Sequence, residues 1–198
     1  MLKKKDHNYT ALEIAKEITS RLAKLYPEKK ISITAIQKLL YYSQAWHLHF
    51  NKKPLFKEDF EAWDMGPVIP YVWTKFKHEI HLTKKPILVE YIASNLLDAI
   101  CEVYGDIDRE EISDMTHSED PWLKSKQKGR SIKITQSSIR KYFKKIYNGE
   151  NLNDYHKSFL DIMTTKSKTG LTPARIIDHW VEMKPKEALD LPEKAMTA

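Results

Sequence analysis

With 198 residues, 41% of them hydrophobic and 30% charged, the chain has the length for one domain, or one domain with an appendage, and an ordinary globular composition. No apolar run approaches the roughly 20 residues of a membrane-spanning helix, the opening Met1-Leu2-Lys3-Lys4-Lys5-Asp6 does not read as a signal peptide, and the single Cys101 excludes an internal disulfide and a cysteine-built zinc site. The net charge of +6 conceals two opposed blocks, −9 over residues 90–120 and +8 over residues 121–150. Basic clustering suits a phosphate backbone. Alternatively the two blocks face one another in one fold or form solvated faces, and an acidic neighbour weakens any field that would steer nucleic acid.

In chain order, Thr10 and Glu13 form a capping box that opens a first helix. Its apolar face is Ala11, Ala15, Ile18, Leu22 and Leu25, and Pro27 ends it. Ser32 or Thr34 caps a second helix to about Phe50, with Ile36, Leu39, Leu40, Ser43, Trp46, His47 and Phe50 at the 3.6-residue period and Asn51 as the left-handed residue at its end. Phe60–Trp63 is a small strand or an extended crossing segment. Gly66-Pro67 is expected to turn, and Pro70 to start a helix reaching about His78. Ile87 to Val89 is expected to be extended.

A helix over 92–104 stops at Gly105, and Asp108 with Glu111 forms a second capping box for a helix through about Met115. Ser118 caps the next turn, with Pro121 in it and Trp122 pointing inward. Lys124 to Arg130 reads as a polar loop. Thr135 caps a helix over 136–147, closed by Asn148-Gly149. A helix from about Leu152 to Met163, a loop over 164–170 and a final helix opened by Thr172-Pro173 follow, and the chain from Lys184 reads as a disordered tail. The expectation is a mainly α fold of about eight short helices with up to two minor strands. Its division is a helical domain over 1–149, a helical extension over 150–183 and a tail over 184–198.

Residues for chemistry are sparse. Five isolated glycines build no phosphate-binding loop. His47 and His49 lie two apart on a helix and point to different faces, and His78 and His81 lack a third ligand. His117 and Glu119 near Asp120-Pro121-Trp122 could form a site, but capping by Ser118 and Glu119 and a core role for Trp122 explain that spacing more simply. Cys101 sits between apolar neighbours beside Glu102, as an inert buried thiol would. No catalytic residue, metal or cofactor is expected, and the chain does not read as an enzyme.

The most informative feature is aromatic. Tyr41, Tyr42, Trp46, Phe50, Phe56, Phe60, Trp63, Tyr71, Trp73 and Phe76 fall within 36 residues. Most belong in a core, Trp46 above all. The density nevertheless exceeds what a compact helical domain needs, and Trp and Tyr are favoured interface anchors. Tyr42, Phe56, Trp63, Tyr71 and Trp73 are therefore the candidate partner-binding residues. Stacking of single-stranded nucleic acid there is opposed by Glu58, Asp59, Glu61 and Asp64, which interrupt the rings.

Gln37-Lys38-Leu39-Leu40-Tyr41-Tyr42, Ala45-Trp46, Pro54-Leu55-Phe56, Glu61-Ala62-Trp63 and Gly66-Pro67-Val68-Ile69-Pro70 together resemble the Panacea-domain family of bacterial and phage proteins. The resemblance continues at Val103-Tyr104-Gly105 and at Thr116 to Trp122, and covers roughly residues 30–145. It implies an antitoxin that neutralises a cognate protein toxin by direct binding in the cytoplasm, and carries over no catalytic residue. Gln37, Lys38, Leu40, Tyr41, Trp46, Gly66 and Pro67 are then scaffold positions, because a shared scaffold serving many toxins should vary where it touches them. Residues 151–198 match nothing in the family and are either an elaboration docked on the domain or a toxin-specific arm. The alternative function is a nucleic-acid-binding regulator that uses Lys124, Lys126, Lys128, Arg130, Lys133, Arg140, Lys141, Lys144 and Lys145. A clear helix-turn-helix with a polar recognition face is missing from it.

Overall fold

The capping box is formed as expected in the computed structural model, which describes residues 9–79 and 91–164. The Thr10 hydroxyl accepts from the Glu13 amide at 3.2 Å, and the Glu13 carboxylate accepts from the Thr10 amide at 2.8 Å. Helix α1 (Ala11–Leu25) follows, with Ala11, Ile14, Ala15, Ile18 and Leu22 inward. Ser32 caps helix α2 (Ile33–Asn51). Its left-handed closing residue is Lys52, at φ 59°, one position beyond the expected Asn51.

Strand β1 (Phe60–Trp63) pairs antiparallel with β2 (Gly66–Val68), Trp63 opposite Gly66. The turn of this hairpin is therefore Asp64-Met65, and Gly66-Pro67, expected to turn, is already strand. The other edge of β1 pairs with β3 (Lys133–Ile134), giving a three-stranded sheet in the order β2-β1-β3. β3 carries too few residues for any alternation to announce it; the pairing across more than 70 residues defines it.

Helix α3 (Pro70–Glu79) starts at its proline, and α4 (Tyr91–Tyr104) ends before Gly105. Helix α5 (Arg109–His117) is capped by Asp108, whose carboxylate accepts from the Glu110 amide. The expected box with Glu111 is not made, because Glu111 accepts instead from the Tyr155 hydroxyl at 2.8 Å. Helix α6 (Asp120–Lys126) takes up the first three residues of the stretch read as a polar loop. Thr135 caps α7 (Gln136–Tyr147), as its spacing foretold, and α8 (Asp154–Thr164) follows. The chain is mainly α, with eight helices and this one small sheet among the described residues. No helix there is long and apolar enough to cross a membrane. The Ile87–Val89 stretch, His81, the segment from Thr165 to Gly170, the Thr172-Pro173 helix start and the tail lie outside the described residues.

Helix α2 is the axis of the packing. α1, α3, α4, α5, α7 and β2 all lie against it, which explains why fourteen of its nineteen residues are buried. The core continues past Gly149, since α8 packs on α4 and places a fully buried Phe159 against Trp46 at 4.8 Å between ring centroids. Arg21 ties α1 to α4 through the Ser94 hydroxyl at 2.9 Å and the Asp98 carboxylate.

Gly105 serves this packing. It has ordinary backbone angles, but a Cβ there would overlap the Cys101 carbonyl oxygen and the Leu22 side chain. Gly105→Ala should therefore push α1 off α4 and cost about 1–3 kcal/mol. Thermal unfolding checks this, with a melting temperature several degrees lower expected.

Candidate functional site

Two glutamines on α2 hold the segments on which the aromatic residues sit. The Gln44 Oε1 accepts from the Leu55 amide at 2.8 Å and the Phe56 amide at 3.3 Å, while its Nε2 donates to the Phe56 carbonyl at 2.9 Å. Gln37 does the same at Ile69, accepting from its amide at 2.9 Å and donating to its carbonyl at 3.4 Å. Each amide acts as a short piece of partner strand, pairing backbone groups that burial would otherwise leave unsatisfied. Between them Lys38, fully buried, donates to the Pro67 carbonyl at 3.2 Å. Gly66 makes room for it. At φ 98° a side chain there would be strained, and a Cβ would lie 2.7 Å from Lys38 Cε and from Thr116 Oγ1.

Deeper in, Glu119 is a buried carboxylate, 2% exposed. It stands at the N-cap position of α6, yet its side chain makes no capping bond. It turns into the core and accepts from the Tyr41 hydroxyl at 2.8 Å and the Tyr42 hydroxyl at 3.1 Å. Burial first, and then the Glu119 charge, raise both phenols well above their ordinary range, so they remain donors. The His156 Nε2, from α8, lies 3.6 Å from the same carboxylate, and His156 Nδ1 is 2.9 Å from the Tyr104 hydroxyl. The Trp46 indole, which can only donate, gives its hydrogen to Tyr104 at 3.2 Å. The network is then satisfied when the Tyr104 proton goes to Nδ1 and the ring proton sits on Nε2, facing Glu119. Tyr, His and Glu in contact are catalytic residue types, but Tyr41 and Tyr42 are 0% exposed, and Tyr104 and His156 1%. The cluster is closed to substrate.

Tyr42 and Phe56, two of the expected partner-binding residues, are thus core residues: Tyr42 stacks on Tyr104 at 4.5 Å, and Phe56 is sealed against Phe60. The other three stay near the surface. Trp63, on the outer face of β1, and Trp73, on α3, are half-buried with centroids 5.9 Å apart. Tyr71 is 53% exposed and points away from Trp73, two positions along the same helix. The expected scaffold residues Gln37, Lys38, Leu40, Tyr41, Trp46, Gly66 and Pro67 are all buried.

His117, paired with Glu119 in the sequence, parts from it and stacks on Trp122 at 4.2 Å, while Trp122 donates to the Trp63 carbonyl at 3.0 Å. Ser118 closes α5 and does not cap α6. Desolvation lowers the half-buried His47 to about 4, and burial first, then the nearby Lys52, Arg140 and Lys144 charges, do the same for His49. Burial pushes the Cys101 thiol up to about 12. Among the described residues no group of three or more His, Cys, Asp and Glu could hold a metal ion.

The basic segment is exposed along α6, β3 and α7. Lys124 pairs with Asp120 at 2.6 Å, Lys133 with Asp59 at 3.2 Å, Lys145 with Glu150 at 3.2 Å, and Lys126 with Asp64. The opposed charge blocks therefore do not face one another. Apart from Asp120, the partners of the basic block come from the hairpin region and from Glu150, while Asp98 and Asp106 pair with Arg21 and Lys29 of the α1 region.

Residues 36–123 match the family of antitoxin SocA-like, Panacea domain, proteins. The chain carries a Panacea domain. No curated protein and no solved structure matches the chain. The matched segment of the Panacea domain runs from α2 through the hairpin to α6 and contains both glutamine clamps and Glu119. α7 and α8, which complete the core around it, lie outside. An antitoxin-family domain suggests a non-catalytic role.

Sequence reasoning missed Gln44, Tyr104, His156 and the inward turn of Glu119. One signal for Glu119 was present: Tyr41 and Tyr42 side by side in a buried stretch oblige two phenols to find an acceptor.

Lys38 supplies a pH test. Burial lowers its amine from 10.5 to about 7. Between those values the unfolded chain binds the extra proton, so this group makes the fold more stable as pH rises. From pH about 7 to about 8.5 the wild type should gain about 1 kcal/mol or more over Lys38→Met, a comparison in which the titration of Cys101, common to both proteins, cancels. Urea unfolding at the two pH values measures the difference, and parallel curves would contradict it.

Proposed function

We propose that this protein is an antitoxin that neutralises a cognate protein toxin, of bacterial or phage origin, by binding it directly in the cytoplasm. The observation that carries the reading is the Panacea-domain match of residues 36–123. The distribution of aromatic residues supports it. A core held by buried hydrogen bonds leaves Tyr71 and Met65 at 53% and 46% exposure and the Trp63–Trp73 pair half-buried. Aromatic side chains contribute large contact area at low entropic cost, and a few such anchors usually carry most of an interface. Trp63, Tyr71 and Trp73 are the contact residues in this reading. Tyr71 is the most informative of them, since its exposed ring can be changed without touching the core.

The test is co-expression with the product of the adjacent small gene, followed by co-purification. Full-length protein should restore growth and retain the toxin. Tyr71→Asp should fold, by circular dichroism, and lose at least tenfold in affinity. Absence of both rescue and co-purification by the wild type would refute the function; full binding by Tyr71→Asp together with Trp73→Ala would refute only the surface.

A further inference from the structure

Between α6, β3 and α7 the surface opens into a cleft of about 330 Å³ whose lining includes Lys124, Lys128, Lys133, Lys141 and Lys145. The walls are built by periodicity. Lys141 and Lys145 are one turn apart on α7, Lys124 and Lys128 stand four apart along α6 and its end, and Lys133 closes the row from β3. Four residues of helix advance about 6 Å, so Lys141 and Lys145 leave α7 at that spacing. Asp120 is the one carboxylate in the lining. Lys128 and Lys141 are exposed and form no ion pair among the described residues.

Of the acidic block only Asp120 lies in the lining, and several of its other carboxylates are used elsewhere. Asp98 and Asp106 pair on the α1 side, Glu111 takes the Tyr155 hydroxyl, and Glu119 is sealed in the core. Pro121 and Tyr142, the cleft's apolar residues, are themselves buried, so the lining presents no exposed apolar anchor. A folded protein partner would need such an anchor. A ligand that is a regular series of anions would not, and point charges on flexible stems suit it.

We infer that the lysine-lined cleft between α6 and α7 binds the phosphate backbone of a nucleic acid, on a surface separate from Trp63, Tyr71 and Trp73. Recognition there is electrostatic and carries no base sequence, and binding weakens steeply as salt displaces the lysines from phosphate.

Fluorescence anisotropy of the full chain with a short labelled single strand and with its duplex, from about 50 to about 200 mM salt, tests this. At least one form should bind with micromolar affinity at the low end, and comparison of the two shows which form fits. Lys128→Glu with Lys141→Glu, both at exposed positions, should weaken binding at least tenfold and lower the magnitude of the salt slope by about 2. Lys157→Glu, exposed on α8, should change neither. Absence of binding to both forms at about 50 mM salt, or a double variant that binds like wild type, would overturn the inference. Displacement of the strand by polyglutamate as readily as by unlabelled strand would overturn it too, in favour of an acidic protein surface. Displacement by a mononucleotide at comparable concentration would do so in favour of a small-ligand pocket.

Discussion

A single carboxylate taken out of water sets the terms for this core. Glu119 is buried, and a buried carboxylate is tolerated only when its lone pairs are met. Meeting them takes Tyr41 and Tyr42 of α2 directly, at 2.8 and 3.1 Å, and draws in His156 of α8, with Tyr104 of α4 and Trp46 of α2 behind it. Four helices are thereby brought to one point. Removal of one donor would strand charge inside the protein, whereas loss of an ordinary apolar contact would leave only a cavity.

That constraint also explains the aromatic excess. Ten aromatic residues within 36 positions looked like more than a core requires, and so like a binding face. Three of the ten, Tyr41, Tyr42 and Trp46, serve instead to enclose a polar group, together with rings from outside the segment. Tyr41 and Tyr42 donate, Tyr42 and Tyr104 stack at 4.5 Å, and Phe143 closes on Trp46 at 5.0 Å. What remains near the surface is a smaller set around the hairpin and α3. The protein thus separates a closed polar core from two surfaces of different chemistry, one aromatic and one cationic.

What could be read from the sequence was what neighbours in sequence decide. The Thr10–Glu13 box, the proline start of α3 and the Thr135 cap are local, and each falls where spacing put it. Gly66-Pro67 and the Lys124–Arg130 stretch carry turn-like composition, yet pairing with β1 makes the first a strand, and Pro121 in the first turn of α6 carries a helix into the second. β3 exists only through its partner. The scaffold residues were identifiable through the family resemblance, and all are buried. The surface residues were harder, because an aromatic ring reads the same whether it faces a toxin or a buried carboxylate. Glu119 shows the difficulty in one residue: at a helix start a glutamate reads as a cap, and only the position of α2 makes it the acceptor for two tyrosines.

The most direct measurement is a double-mutant cycle between Tyr41→Phe and Glu119→Gln, followed by urea unfolding. If the carboxylate organises the core, each single change should destabilise, and the pair should couple by about 1–3 kcal/mol, because the second change removes a partner already lost. Additivity within about 0.5 kcal/mol would contradict the account, and would mean that these helices are held together by apolar packing alone.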